Sequence, residues 1–182
     1  MSVSVHHFRF DPRFRLPARL LSITDERAWV RVDDDQLEAA FGPWRVRTPT
    51  ANIASASITG PYRWPKVIGP PHLSFADRGL TFATNATQGV CIEFRQPIHG
   101  IDPFGRVAHP NLTVTVDDCA ALAELLAELS TARSVDQATA SIHDHLIGLS
   151  AAELRGHARE RGLPRVSAMS KAELMSALTG SE

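Results

Sequence analysis

Long apolar runs are missing from this 182-residue chain. None approaches the roughly 18 residues that a membrane-spanning helix needs, so no integral membrane association is expected. The opening residues, Met1-Ser2-Val3-Ser4-Val5-His6-His7-Phe8, have neither the charged start nor the apolar stretch of a secretory signal, and a cytoplasmic protein is expected. Cysteine is limited to Cys91 and Cys119, which form neither a CxxC pair nor a disulfide framework and are read as free thiols in an interior. An excess of charge is missing too. Nineteen basic residues face twenty acidic ones for a net charge of -1, which argues against a protein devoted wholly to coating nucleic acid but leaves a local patch open. Lysine occurs only at Lys66 and Lys171, a bias that carries no functional reading.

Catalytic signatures are absent as well. There is no GxSxG, no P-loop, no GxGxxG after a strand and no nucleophile beside a visible base, so neither an enzyme nor a cofactor is expected. The eight histidines do not make a metal site. His6 and His7 would point to opposite faces of a strand, and His143 and His145 stand two apart on a helix and do not converge. Asp33, Asp34 and Asp35 suit a hairpin tip, which explains them without calcium or acid–base chemistry.

What is present is the balance of a globular chain, 43% hydrophobic and 21% charged, enough for one ordinary domain and a small appendage. Ala28 to Asp33 alternates, and the three aspartates lead into Gln36 to Phe41, which predicts a hairpin. Strands are expected at Ala18 to Ile23, Arg45 to Arg47, Ile53 to Thr59 and Leu73 to Phe75. A turn at Ala76-Asp77-Arg78-Gly79 should lead into Leu80 to Thr84, with further strands at Val90 to Arg95 and through Leu112, Val114 and Val116. Asp117 or Asp118 can cap a helix in which Leu122, Leu125, Leu126 and Leu129 form an apolar stripe. Some seven short strands followed by such a helix, with the Phe41-Gly42-Pro43-Trp44 strand end, resemble the pleckstrin-homology (PH-like) superfold. The resemblance implies an antiparallel β-barrel plugged by a C-terminal helix over residues 1–129, with a protein partner docking on it.

Residues 130–136 are small and polar and suit a linker. Ala138, Ile142, Leu146 and Leu149 trace a helical stripe, and 130–148 is read as linker and bridging helix. Residues 149–182 are more specific. Ser150 with Glu153 makes a capping box, and Leu149 with Leu154 has the spacing of a hydrophobic staple. Ser170 with Glu173, and Met169 with Leu174, repeat both devices twenty residues later. Gly162 and Gly180 stop the two helices, and Pro164 is expected to hold Leu163 to Ser167 extended. A small core of Leu154, Ala158, Leu163, Val166, Leu174 and Leu178 follows.

This pattern resembles the N-terminal domain of transcription termination factor Rho (Rho-N) and is similar to the SAP motif, both small all-α helix-extended-loop-helix modules. The resemblance covers about one-sixth of the chain and implies contact with DNA or RNA. Nothing here resembles Rho's RNA-binding OB domain or its ATPase. Local charge agrees with nucleic-acid contact: residues 149–178 carry five basic side chains against three acidic ones, a net +2. Arg155 and Arg159 share a helix face, Arg165 lies in the connection, and Lys171 stands at the start of the second helix, where free N–H groups also favour phosphate. Weak, salt-sensitive binding with little sequence preference is expected, with a role in transcription or its termination. The alternative is a protein–protein adaptor in which both modules bind polypeptide. Residues 60–71, with Tyr62, Arg63, Trp64 and Lys66, either pack as a lid or present those four side chains to a partner. Arg13, Arg15 and Arg19 are a further basic run, as compatible with a solvated strand as with an anionic partner.

Overall fold

The computed structural model describes residues 3–62, 70–73, 78–100 and 107–179. Among them the chain is mixed α and β, with two sheets and four α-helices. It divides into two compact units, Met1–Thr131 and Ala132–Glu182.

The first sheet is an antiparallel meander of β1 (Ser4–His7), β2 (Ala28–Val32), β3 (Gln36–Phe41) and β4 (Trp44–Pro49), in that order. The aspartate hairpin joins β2 to β3 as expected: the Asp33 carboxylate accepts from the N–H groups of Asp35 and Gln36 at 3.0 and 2.7 Å. Gly42 and Pro43 form the two-residue turn to β4. Gly42 has φ 62°, and a Cβ there would lie 2.9 Å from the Ile23 side chain, so glycine serves both backbone and packing.

The second sheet has the order β5-β8-β9-β7-β6: β5 (Ile53–Thr59), β6 (His72–Leu73), β7 (Leu80–Phe82), β8 (Gly89–His99) and β9 (Ala108–Val114). β6 and β7 pair antiparallel, as the expected hairpin requires, although residues 74–77 of its turn lie outside the described residues. β7 pairs with β9 in parallel, which an all-antiparallel expectation did not contain.

The sheets meet at two corners. At one, Phe8 bridges Val116, Arg9 N–H donates to Thr115 O at 3.1 Å, and Asp117 N–H donates to His7 O at 2.8 Å. The buried Thr84 hydroxyl and the Asn85 amide both donate to Arg9 O, at 2.7 and 2.9 Å. At the other corner a 3-10 turn at Thr50–Asn52 interrupts the passage from β4 to β5, and the Asn52 amide exchanges two bonds with the Gln96 backbone, at 2.9 and 2.8 Å. Neither corner carries a continuous ladder, so among the described residues no barrel closes.

One core fills this unit. Phe41 stacks on Phe82 at 5.0 Å and meets Phe8 at 5.3 Å, while Leu37, Ile53, Leu80, Ile92 and Leu112 are fully buried around them. α2 (Cys119–Gly148) begins where Asp118 accepts from Ala121 N–H at 2.9 Å, and it places Leu122 and Leu126 in this core with Leu125 and Leu129 against it. Cys119 is buried, and burial raises its thiol pKa. Cys91 is half-buried, so the expectation of an interior thiol fits Cys119 better.

Two expectations about local structure need correction. Ala18 to Ile23 is not a strand: Arg15–Leu20 forms a short helix, α1, with Pro17 in the first turn, where its missing N–H costs nothing. The helix stops because Ser22 takes the left-handed conformation (φ 58°), with Ser22 N–H bonded to Arg19 O and Ile23 N–H to Ala18 O, the paired bonds of a Schellman motif. Residues 130–136, read as a linker, are helical, since α2 runs through them. No helix among the described residues is long and apolar enough to cross a membrane.

Candidate nucleic-acid interface

The second unit holds α3 (Ala151–Glu160) and α4 (Lys171–Thr179). Both capping boxes are present: Ser150 N–H donates to the Glu153 carboxylate at 2.7 Å, and Ser170 N–H donates to Glu173 at the same distance. The return bonds, from the backbone N–H of each glutamate to its serine hydroxyl, are 3.4 and 3.3 Å. Each carboxyl is held below the usual range, first by the serine side chain and then by the serine N–H. Gly162 (φ 72°) ends α3 with a second Schellman motif, in which Gly162 N–H bonds Arg159 O and Leu163 N–H bonds Ala158 O, both at 3.0 Å.

The connection is not extended, contrary to expectation. Pro164 and Arg165 form a turn, Arg165 is left-handed at φ 59°, and Val166–Ala168 is a 3-10 helix. The tight turn buries Val166, which an extended strand of this length would carry past the core. Leu154, Ala158, Val166, Leu174 and Leu178 form that core, joined by Leu146 of α2, with Leu149, Leu163 and Met169 against it.

The four cations expected to contact nucleic acid divide into two pairs. Arg155 is half-buried; its Nη2 donates to Met169 O at 3.4 Å, and its Nε is buried without a partner among the described residues. Lys171 Nζ donates to Ile147 O at 3.1 Å, satisfying a carbonyl in the last turn of α2. These two cations therefore hold backbone within the unit. Arg161, whose role the sequence did not single out, does likewise for α4 by donating to Leu178 O at 2.8 Å. Its place in the last turn before a stop glycine was the available signal.

Arg159 and Arg165 are exposed, and no acceptor meets either guanidinium among the described residues. The acids nearby are engaged elsewhere: Glu153 and Glu173 in the capping boxes, and Glu160 with His157 Nδ1 at 3.5 Å. The same unit carries a cleft of about 530 Å³ lined by Ile142, Leu146, His145, His157, Arg161 and Leu178, among others.

Of the 60–71 segment, Tyr62 is half-buried. Its hydroxyl hydrogen-bonds Thr59, its N–H donates to Ala86 O at 2.8 Å, and burial raises its pKa. Arg63, Trp64 and Lys66 lie outside the described residues. Of the N-terminal basic run, Arg15 pairs with Asp25 at 3.7 Å across an exposed gap. Among the described residues, no three His, Cys, Asp or Glu side chains converge as metal ligands.

A second cationic surface lies on the outward face of the first sheet. Register places His7, Trp29, Ala40 and Arg45 in one cross-strand row and Val5, Arg31, Glu38 and Arg47 in the next. The Arg45 guanidinium stands 5.3 Å from the Trp29 ring centre. Trp29-x-Arg31 and Arg45-x-Arg47 are visible in the sequence as outward positions of two strands. Only the register shows that they share a face. Comparison with protein-family models, with curated proteins and with solved structures gives no match to this chain.

Proposed function

We propose that this is a non-enzymatic protein of two parts, in which the 149–182 module contacts DNA or RNA weakly and with little sequence preference, in transcription or its termination. The 1–129 part, on this reading a PH-like domain, serves as a docking platform. The supporting observation is the state of the charges. Arg159 and Arg165 are exposed without acceptors among the described residues, and the carboxylates of Glu153 and Glu173 are held in capping boxes. Lys171 and Arg155 act as positioning residues that hold the turn and the helix ends in place.

The test is binding of the full chain to fluorescent single- and double-stranded DNA and RNA across a salt series. Affinity should fall with salt, by roughly 0.7 to 0.9 in log K per log salt for each phosphate neutralised, and the Arg159→Ala/Arg165→Ala variant should lower that slope by one to two contacts. No binding at low salt by a folded protein would refute the reading. The alternative, an adaptor, is favoured by the cleft, whose Ile142 is 47% exposed and whose Leu146 and Leu178 could receive an apolar partner side chain. Such an interface would keep its affinity in high salt.

A further inference from the structure

The outward face of β1–β4 has an unusual balance of charge. Glu38 is buried to 8% exposure at the centre of this face. One oxygen of its carboxylate, Oε1, accepts from Arg47 Nη2 at 3.0 Å and from Arg45 Nη1 at 3.5 Å. Arg31 stands directly across from Glu38 on β2, exposed and without a partner among the described residues. Two guanidiniums thus converge on a single carboxylate oxygen, and a third arginine stands at the next cross-strand position. The arginine side chains on β4 remain 48% and 63% exposed, so most of their donors face solvent. The cluster is short of negative charge, and guanidinium forks match phosphate oxygens in geometry.

Beside this cluster lies Trp29, half-buried, with Arg45 over it and His7 next to it on β1. Trp29 stands across from the fully buried Ala40. Cations next to a partly exposed aromatic ring are the two requirements of a surface that tracks single-stranded nucleic acid: the backbone on the cations and a base against the ring.

We infer that the outward face of the first sheet is a binding surface for single-stranded nucleic acid, with Arg31, Arg45 and Arg47 taking phosphates and Trp29 receiving a base. Glu38 offsets part of their charge, since its carboxylate competes with phosphate for the donors of Arg45 and Arg47. This surface uses none of the residues of the 149–182 module, so it stands or falls separately from the function proposed above.

The experiment uses the full chain carrying Arg159→Ala/Arg165→Ala, which removes the other candidate contact. The probe is a fluorescent thymidine oligonucleotide of about a dozen residues, with a glutamate polymer of matched charge as competitor. Binding should persist in this background. Arg31→Gln should lower the salt slope by about 0.7, and Trp29→Leu should weaken binding about fivefold or more with the slope unchanged, the signature of a lost stack. Glu38→Gln should tighten binding, an outcome that damage to the fold would not mimic. The proposal is overturned if binding vanishes in the starting background, or if Trp29→Leu and Glu38→Gln both leave affinity unchanged. Equal displacement by the glutamate polymer would likewise overturn it, in favour of an acidic polypeptide ligand.

Discussion

The two units of this protein are built on different length scales. In the first, the residues that matter to one another are far apart: Phe8, Phe41 and Phe82 share one aromatic cluster, and Asn52 holds Gln96. In the second, most devices close within three to five residues, as the two capping boxes and the stop at Gly162 do. Among the described residues its core has six buried apolar side chains, whereas twenty-four fill the first. A large core tolerates a weak local signal because burial decides the conformation, while a small core depends on good caps. Ser22 and Gly162 show this directly. Each occupies the same left-handed position of the same helix stop, but only the small unit uses glycine there.

The strongest way to break the comparison is to remove core atoms from each side. Phe41→Ala should cost about 3–5 kcal/mol and Leu174→Ala about 2–5 kcal/mol. Amide hydrogen exchange should then show lost protection in β2–β4 for the first, and in α3 and α4 for the second. Coincident loss everywhere in either variant would mean one cooperative unit and would erase the distinction.

A subtler probe exchanges the two helix stops. Gly162→Ser places a side chain in the left-handed region, at a cost of about 1–2 kcal/mol. Ser22→Gly relieves that strain while giving up backbone entropy, for a net gain below about 1 kcal/mol. Denaturant midpoints check both. A gain from Gly162→Ser would contradict the account of the small unit.

Acid should separate the units with the smallest change of all. His6 is half-buried, and burial lowers its pKa, with Asp118 partly opposing. The unfolded chain therefore binds its proton first, so stability of the first unit should fall as pH drops below about 6.5. Glu153 and Glu173 are depressed, so their contribution is present above about 4.3 and is lost only as pH falls through their lower folded values. Exchange protection followed from pH 7 to pH 3 should therefore weaken first around β1. The opposite order would refute both assignments.

The same contrast of length scales governs what was legible in the sequence. The capping boxes, staples, small core and aspartate hairpin were readable because the partners lie within a few residues and each residue type has one local use. The stop at Ser22 was not, since serine carries no such signal, and Ala18 to Ile23 was read as a strand. Nor was the parallel pairing of β7 with β9, which joins residues 32 apart. At the candidate interface the charges were visible but not their partners. Arg155 and Lys171 each give one donor to a carbonyl, 14 and 24 residues distant. The Trp29, Arg31, Arg45 and Arg47 surface needed the register of three strands.

The corner at Phe8–Asp11 has a consequence for how the chain is made. Its backbone partners include Thr84, Thr115 and Val116. A ribosome adding 5–20 residues per second would take on the order of ten seconds to reach them after residue 11. During synthesis β1 can pair with β2 and Phe8 with Ala28, but the stretch just after it is completed only once Thr84 and then Thr115 and Val116 have emerged. The beginning of this chain is thus among the last parts of its first unit to be finished.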